Sequence, residues 1–169
     1  IEKCDSQFEQ GGLRCSGTFK QDKKDEPLIT IITTVKNGEK FFQEALLSLR
    51  EQKYKNFEHI VIDGNSTDGT LDIIKRNEKH IDYWVSMKDS GIYEGFNTGM
   101  RLARGKYLGF LNSDDKFTPE ALKILQKYII KFPKEDFFFG AVKKHWGVLH
   151  GYKPWKIRWS WGFYSSHST

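Results

Sequence analysis

Short, almost wholly apolar runs recur along this chain, and stretches with apolar residues at helical spacing separate them. Leu28–Val35 (LITIITTV) is the clearest run. Being β-branched and apolar at nearly every position, it suits a strand buried on both faces, as in a parallel sheet. Asn37-Gly38 breaks it, and Phe41, Phe42, Ala45, Leu46 and Leu49 then predict a helix over 39–52. Phe57–Ile62 (FEHIVI) reads as a second strand, followed by the turn-rich loop Asp63–Thr70 and a helix beginning at Leu71. Ile81–Met87 reads as a third strand, with a weak, glycine-bearing helix over 91–103 after it. Lys106–Leu111 is a fourth strand, and Thr118-Pro119-Glu120 supplies a helix start with Thr as the cap and Pro at the first position. Phe137–Val142 is expected to be a fifth strand. Strict β-α alternation of this kind predicts an α/β fold, a mostly parallel sheet with helices on both faces.

In such sheets ligands sit outside the carboxyl ends of the strands. Those ends are acidic here. Asp63 follows the second run, Asp89 the third, and Asn112-Ser113-Asp114-Asp115 the fourth; Thr34 closes the first. Adjacent carboxylates are costly unless solvated or bound to a cation. Hard oxygen donors suit Mg²⁺ or Mn²⁺, which usually fill their remaining positions with water and substrate phosphates. Each acid alone has a plainer reading: Asp63 as a turn residue, Asp68 as a helix cap, Asp114-Asp115 as a solvated loop. Their recurrence at successive strand ends favours a phosphorylated ligand held through a metal. The chain has no G-x-G-x-x-G after its first strand, no phosphate-binding G-x-x-x-x-G-K-[ST] and no zinc-type C-x-x-C.

The charge is unevenly placed. Residues 1–136 carry 22 basic and 22 acidic side chains, whereas 137–169 carry five basic residues, no carboxylate side chain and four of the five tryptophans. Three regions follow: an irregular lead-in over 1–26, a core over 27–142, and a basic, Trp-rich region over 143–169. Three readings of that last region stand: contact with an anionic membrane surface, stacking on sugar rings, or packing of a small subdomain. Five charges over 33 residues are too sparse for a nucleic-acid footprint. Cys4 and Cys15 are expected to be a reduced pair in a cytoplasmic protein. No secretory signal opens the chain and no run approaches a membrane span; from a start at Ile1 rather than Met we expect an upstream piece that has been removed or lies outside this sequence.

Three segments, PLITIITTVKNGEKFFQEALLSL from Pro27, FEHIVIDGNSTDGTLDII from Phe57, and DSGIYEGFNTGMRLARGKYLGFLNSDD from Asp89 to Asp115, together resemble the family 2 glycosyltransferases with a GT-A fold. The resemblance covers 27–140 and is nearest to bacterial enzymes that build surface polysaccharides. It implies an inverting transfer from a nucleotide-sugar donor, in all expectation a UDP-sugar, to a glycan or lipid-linked acceptor. By resemblance, Thr34, Asp63 and Asp89 match nucleoside contacts, Asp115 matches the metal ligand, and Asp114 lies by the ribose or a metal water. Asn112 stands where many relatives have a third acid. Such enzymes need a base for the acceptor hydroxyl, and no carboxylate side chain follows Asp136. Either the base lies beyond Thr169 or a histidine serves, with His167 the candidate, or His145 or His150; His59 and His80 read as structural or surface residues. A non-catalytic nucleotide-sugar or glycan-binding module is the alternative of a different class. A sugar-phosphate nucleotidyltransferase fits less well, since Thr34–Gly38 is too short and plain for its phosphate loop. The expected location is the cytoplasm, with peripheral contact on the inner face of the membrane as one reading of the tail.

Overall fold

A computed structural model describes residues 8–88, 91–144 and 147–149, with backbone only for 142–144 and 147–149. The chain forms two compact units, 1–133 and 134–169. The first holds strands β1 (Glu9–Gly11), β2 (Ile29–Val35), β3 (Phe57–Asp63), β4 (Tyr83–Ser86) and β5 (Tyr107–Phe110) in one sheet of order β1-β4-β3-β2-β5. Helices α1 (Phe42–Arg50), α2 (Thr70–Arg76), α3 (Ile92–Leu102) and α4 (Ala121–Lys131) connect or follow them. The β4–β3–β2–β5 pairings are parallel, and β1 adds an antiparallel edge.

The two central strands are buried at every position, as an unbroken apolar run requires in a sheet covered on both sides. Side chains alternate across β2 and β3. Ile32 points to α3, where a Cβ on Gly99 would stand 2.4 Å from its Cγ2. His59, registered opposite Ile31, lines a cavity with Leu46 and Leu49 of α1 on the other face. Gly99, which weakens α3 as a helix, is thus what lets it lie close on the sheet. The edge strand β5 alternates between half-buried and exposed positions.

Several expectations are corrected. The lead-in is not wholly irregular: Glu9–Gly11 pairs with Tyr83–Ser86. It also supplies the cations for two acids buried at the amino end of the sheet. Arg14 meets Glu58 at 2.5 Å and Lys20 meets Asp82 at 2.9 Å. Glu58 further accepts from Thr30 Oγ1 and from the Arg104 and Gly105 N–H groups, so its burial is fully compensated. Cys15 is disulfide-bonded rather than reduced; it lies exposed on a turn closed by its own N–H to Gly12 O, where a second thiol can reach it. The other cysteine, Cys4, lies outside the described residues.

Helix α4 starts at Ala121, with Glu120 at the N-cap position and no side-chain cap bond, and not at Thr118. Gln52 at the end of α1 takes the Leu122 N–H on its Oε1 at 3.0 Å and donates Nε2 to Thr118 O at 2.8 Å, and Pro119 O accepts from Lys53 N at 3.0 Å, so Thr118 O only closes a turn with Ala121 N at 2.9 Å. Residues 137–141 form no strand, and Phe137 and Phe139 are 74% and 62% exposed. In the second unit β6 (Val142–Lys144) pairs antiparallel with β7 (Gly147–Leu149).

Candidate active site at the carboxyl edge of the sheet

Three loops leave the carboxyl ends of β2, β3 and β5. The first two are zipped together. Asn37, forced to φ 52°, donates its N–H to Ser66 Oγ and accepts the Thr67 N–H on its side chain, each at 2.8 Å. Gly38 N donates to Thr70 Oγ1 at 2.8 Å, Glu39 N to Asp68 Oδ2 at 3.0 Å, and Gly69 N back to Glu39 Oε2 at 3.1 Å. Asn tolerates the left-handed region, which explains it at both Asn37 and Asn65. The third loop arrives at the same point: a Cβ on Gly38 would stand 3.7 Å from Ser113 Oγ and 2.6 Å from Val35 Cγ2. Gly38 is therefore where all three loops meet.

Asp63 closes β3, registered opposite Val35 on one side and Ser86 on the other. It is fully buried. Its Oδ1 accepts from Ser66 Oγ at 2.5 Å, and its Oδ2 from Ser66 N at 3.1 Å and Ser86 Oγ at 2.6 Å. In this arrangement Asp63 organises the β3 loop. Thr34, opposite Ile62, is also buried. Gly69, not Asp68, is the N-cap residue of α2; Asp68, one residue before it, accepts the Thr70 N–H at 3.0 Å and adds the bond to Glu39 N. Slight desolvation opposes ionisation of Asp68, but hydrogen bonds from the Thr70 hydroxyl and the Glu39 and Thr70 N–H groups prevail and hold its carboxyl below the usual range.

Asn112–Asp115 is a β-turn closed by the Asp115 N–H to Asn112 O at 3.1 Å. The side chains repeat the link, with Asn112 Nδ2 donating to Asp115 Oδ2 at 2.8 Å. Asp114 and Asp115 are exposed. Among the described residues no Lys or Arg forms an ion pair with either, and Lys116 is engaged by Glu44 at 2.6 Å. No group of three or more His, Cys, Asp or Glu side chains gathers among the described residues.

Of the sequence-predicted site residues, the structure brings Thr34, Asp63, Asp114 and Asp115 to one edge of one sheet; Asp89 and His167 lie outside the described residues. The sequence reading missed Glu39, Ser66, Ser86 and Gly38 as parts of this edge. The N-G dipeptide was a turn signal, but nothing local shows which loop a turn will meet. A cavity of about 370 Å³ lies at the amino ends of the strands, among Leu13, Phe57, His59 and Ile81, and none of the predicted site residues lines it. Thr34, Asp63, Asp114 and Asp115 lie at the opposite edge.

The sequence matches the model of glycosyl transferase family 2 over residues 30–168, and the chain belongs to that family. It is 33% identical over 103 residues to the Bacillus subtilis glycosyltransferase TuaG, whose name assigns it to teichuronic acid biosynthesis, covering 58% of this chain and 40% of TuaG. It is 34% identical over 104 residues to the Escherichia coli chondroitin synthase, covering 60% of this chain and 15% of that protein. Among solved structures it resembles Staphylococcus aureus TarS 1–349 in complex with UDP-GlcNAc, with a TM-score of 0.58 and 30% identity, over 62% of this chain and 32% of TarS. These neighbours bear out the GT-A fold. The chain spans well under two thirds of the length of each of these relatives. Among the described residues no helix is long and apolar enough to cross a membrane.

Proposed function

We propose that the carboxyl edge of this sheet binds a nucleotide-diphosphate sugar, a UDP-sugar in the first instance, and that the whole protein transfers the sugar to a glycan or lipid-linked acceptor with inversion, in bacterial polysaccharide biosynthesis. The observation that carries this is the Asn112–Asp115 turn. It sets two exposed carboxylates with no cation partner among the described residues beside the loop junction at Gly38. Membership of family 2 and the likeness to a UDP-GlcNAc complex support the same reading.

The donor set fits Mn²⁺ or Mg²⁺. Two hard carboxylates exposed to solvent suit a cation that completes its shell with phosphate oxygens and water. Such an ion, when bound, supplies Lewis-acid stabilisation of the departing diphosphate. Asp115 would hold it directly, with Asp114 at a metal water or the ribose. Thr34 and the buried Asp63 would form the nucleoside wall with Asp89, Asp63 requiring the β3 loop to open before a base can touch it. In the transfer, the acceptor oxygen bonds to the anomeric carbon as the bond from that carbon to the phosphate oxygen breaks. The nucleoside diphosphate leaves, and a base takes the acceptor proton. That base is His167 or a residue outside this sequence. The basic, Trp-rich region would face the acceptor or an anionic membrane surface.

Asp115 is exposed, so its replacement should spare the fold. In Asp115→Ala, sugar release from a UDP-sugar in the presence of Mn²⁺ should fall at least 100-fold, with circular dichroism and the urea midpoint unchanged. Wild-type turnover in that variant would remove the metal role from Asp115. Donor binding by a full-length wild type without turnover would instead favour a binding module.

A further inference from the structure

We infer that Asn112 is a positioning residue for the metal site: it is held outside the coordination shell and aims Asp115. This rests on the proposed role of Asp115. Asn112 opens the turn that carries Asp114 and Asp115, and an amide oxygen is itself a competent donor to a hard cation. The geometry assigns it a different task. Its backbone carbonyl accepts the Asp115 N–H at 3.1 Å, and its side-chain Nδ2 donates to Asp115 Oδ2 at 2.8 Å. Two bonds thus join the first and last residues of one turn. Asp115 is otherwise exposed, and among the described residues no other side chain restrains its carboxylate.

The donated hydrogen bond has two consequences. It uses one lone pair of Oδ2, so the carboxylate's free acceptor capacity is concentrated on Oδ1. It also fixes the rotation of a group that would otherwise sample its torsions freely in solvent. Partners that orient a metal ligand typically change metal affinity tenfold or more when removed. Half-buried Asn112 also keeps the turn at two carboxylates, where a third acid would add like charge beside Asp114 and Asp115.

A ligand and a positioning residue answer differently to the same substitution. Asn112→Asp keeps the size and replaces the NH₂ donor with an oxygen. If Asn112 were a ligand, Asn112→Asp would bind Mn²⁺ more tightly. As a positioning residue it should bind Mn²⁺ about tenfold more weakly, as should Asn112→Ala, because neither can donate to Asp115. The measurement is Mn²⁺ affinity of the full chain by electron paramagnetic resonance, in the presence of saturating UDP, with urea midpoints to show the fold is kept. Weaker binding in both variants supports the proposal. Tighter binding in Asn112→Asp, or unchanged binding in Asn112→Ala, overturns it. Asp115→Ala, run in parallel, separates the two levels. If its Mn²⁺ affinity equals wild type, the assignment of Asp115 itself has failed and the role of Asn112 falls with it. If it loses affinity while the Asn112 variants do not, only the positioning role is lost.

Discussion

At His59 the sheet keeps an imidazole away from water. Burial, with help from the Lys20 cation, pushes its pKa down from 6.5 to about 3, and Thr33 Oγ1 lies 3.0 Å from its Nε2. The folded state therefore holds the ring neutral at a pH where the unfolded chain has already taken a proton. The stability this provides is complete above pH 6.5 and is lost as the pH falls toward 3, at up to ~1.4 kcal/mol per pH unit. Urea unfolding of wild type and His59→Gln from pH 7.5 to 4.5 isolates the effect, because the carboxylates titrate alike in both. The stability difference between the two proteins should shift in favour of the variant as the pH drops; parallel curves would mean that His59 is not held neutral. From sequence alone His59 was a structural or surface residue, and only the pairing of β3 between two strands decides between them. The acids at strand ends were legible because type and place were both local signals. Ser66, Ser86 and Gly38 were not, since each matters only through a partner on another loop or strand.

The elements were more legible than their partners. The runs at Ile29–Val35 and Phe57–Asp63 declare strands because burial on both faces demands apolar residues at consecutive positions. The edge strand Glu9–Gly11 carries no such run, and it forms because Tyr83–Ser86 offers an open side. The helix start expected at Thr118 failed for a related reason: contacts with α1 outweighed a sound local cap. Helix α3 shows the opposite case, in which weak helix formers are favoured by tertiary contact. A Cβ at Gly99 would meet Ile32 Cγ2 at 2.4 Å, far inside contact distance. Alanine normally strengthens a helix by about 1 kcal/mol over glycine. Overpacking at this point costs about 1–3 kcal/mol and should win. Gly99→Ala is thus expected to lower the unfolding free energy in urea by about 1–2 kcal/mol, despite raising intrinsic helicity. A stabilised variant would show that α3 does not bear on β2 through this glycine.

Across the first unit the two ends of the sheet handle charge in opposite ways. At the amino end, Glu58 and Asp82 are buried against Arg14 and Lys20. At the carboxyl end, Asp63 is satisfied by hydroxyl and amide donors, while Asp114 and Asp115 are left to solvent with no cation partner among the described residues. One end is electrostatically closed and the other is open to a cation. A nucleoside diphosphate alone would bring negative charge to an acidic edge, and a divalent ion alone would find two carboxylates and water. Each should therefore bind weakly by itself and more tightly in the presence of the other, a reciprocal coupling. Ligand that binds only the folded chain stabilises it by about 2.7 kcal/mol at a hundred times its Kd, which for a chain of this size is about 5–10 °C in Tm. UDP with Mn²⁺ should raise the melting temperature by an amount in that range, and by clearly more than the sum of the separate shifts. Asp115→Ala should abolish the excess and leave any shift due to UDP alone. Equal shifts with and without the metal would mean that the nucleotide is held without a cation, and the open acidic edge would then need another explanation.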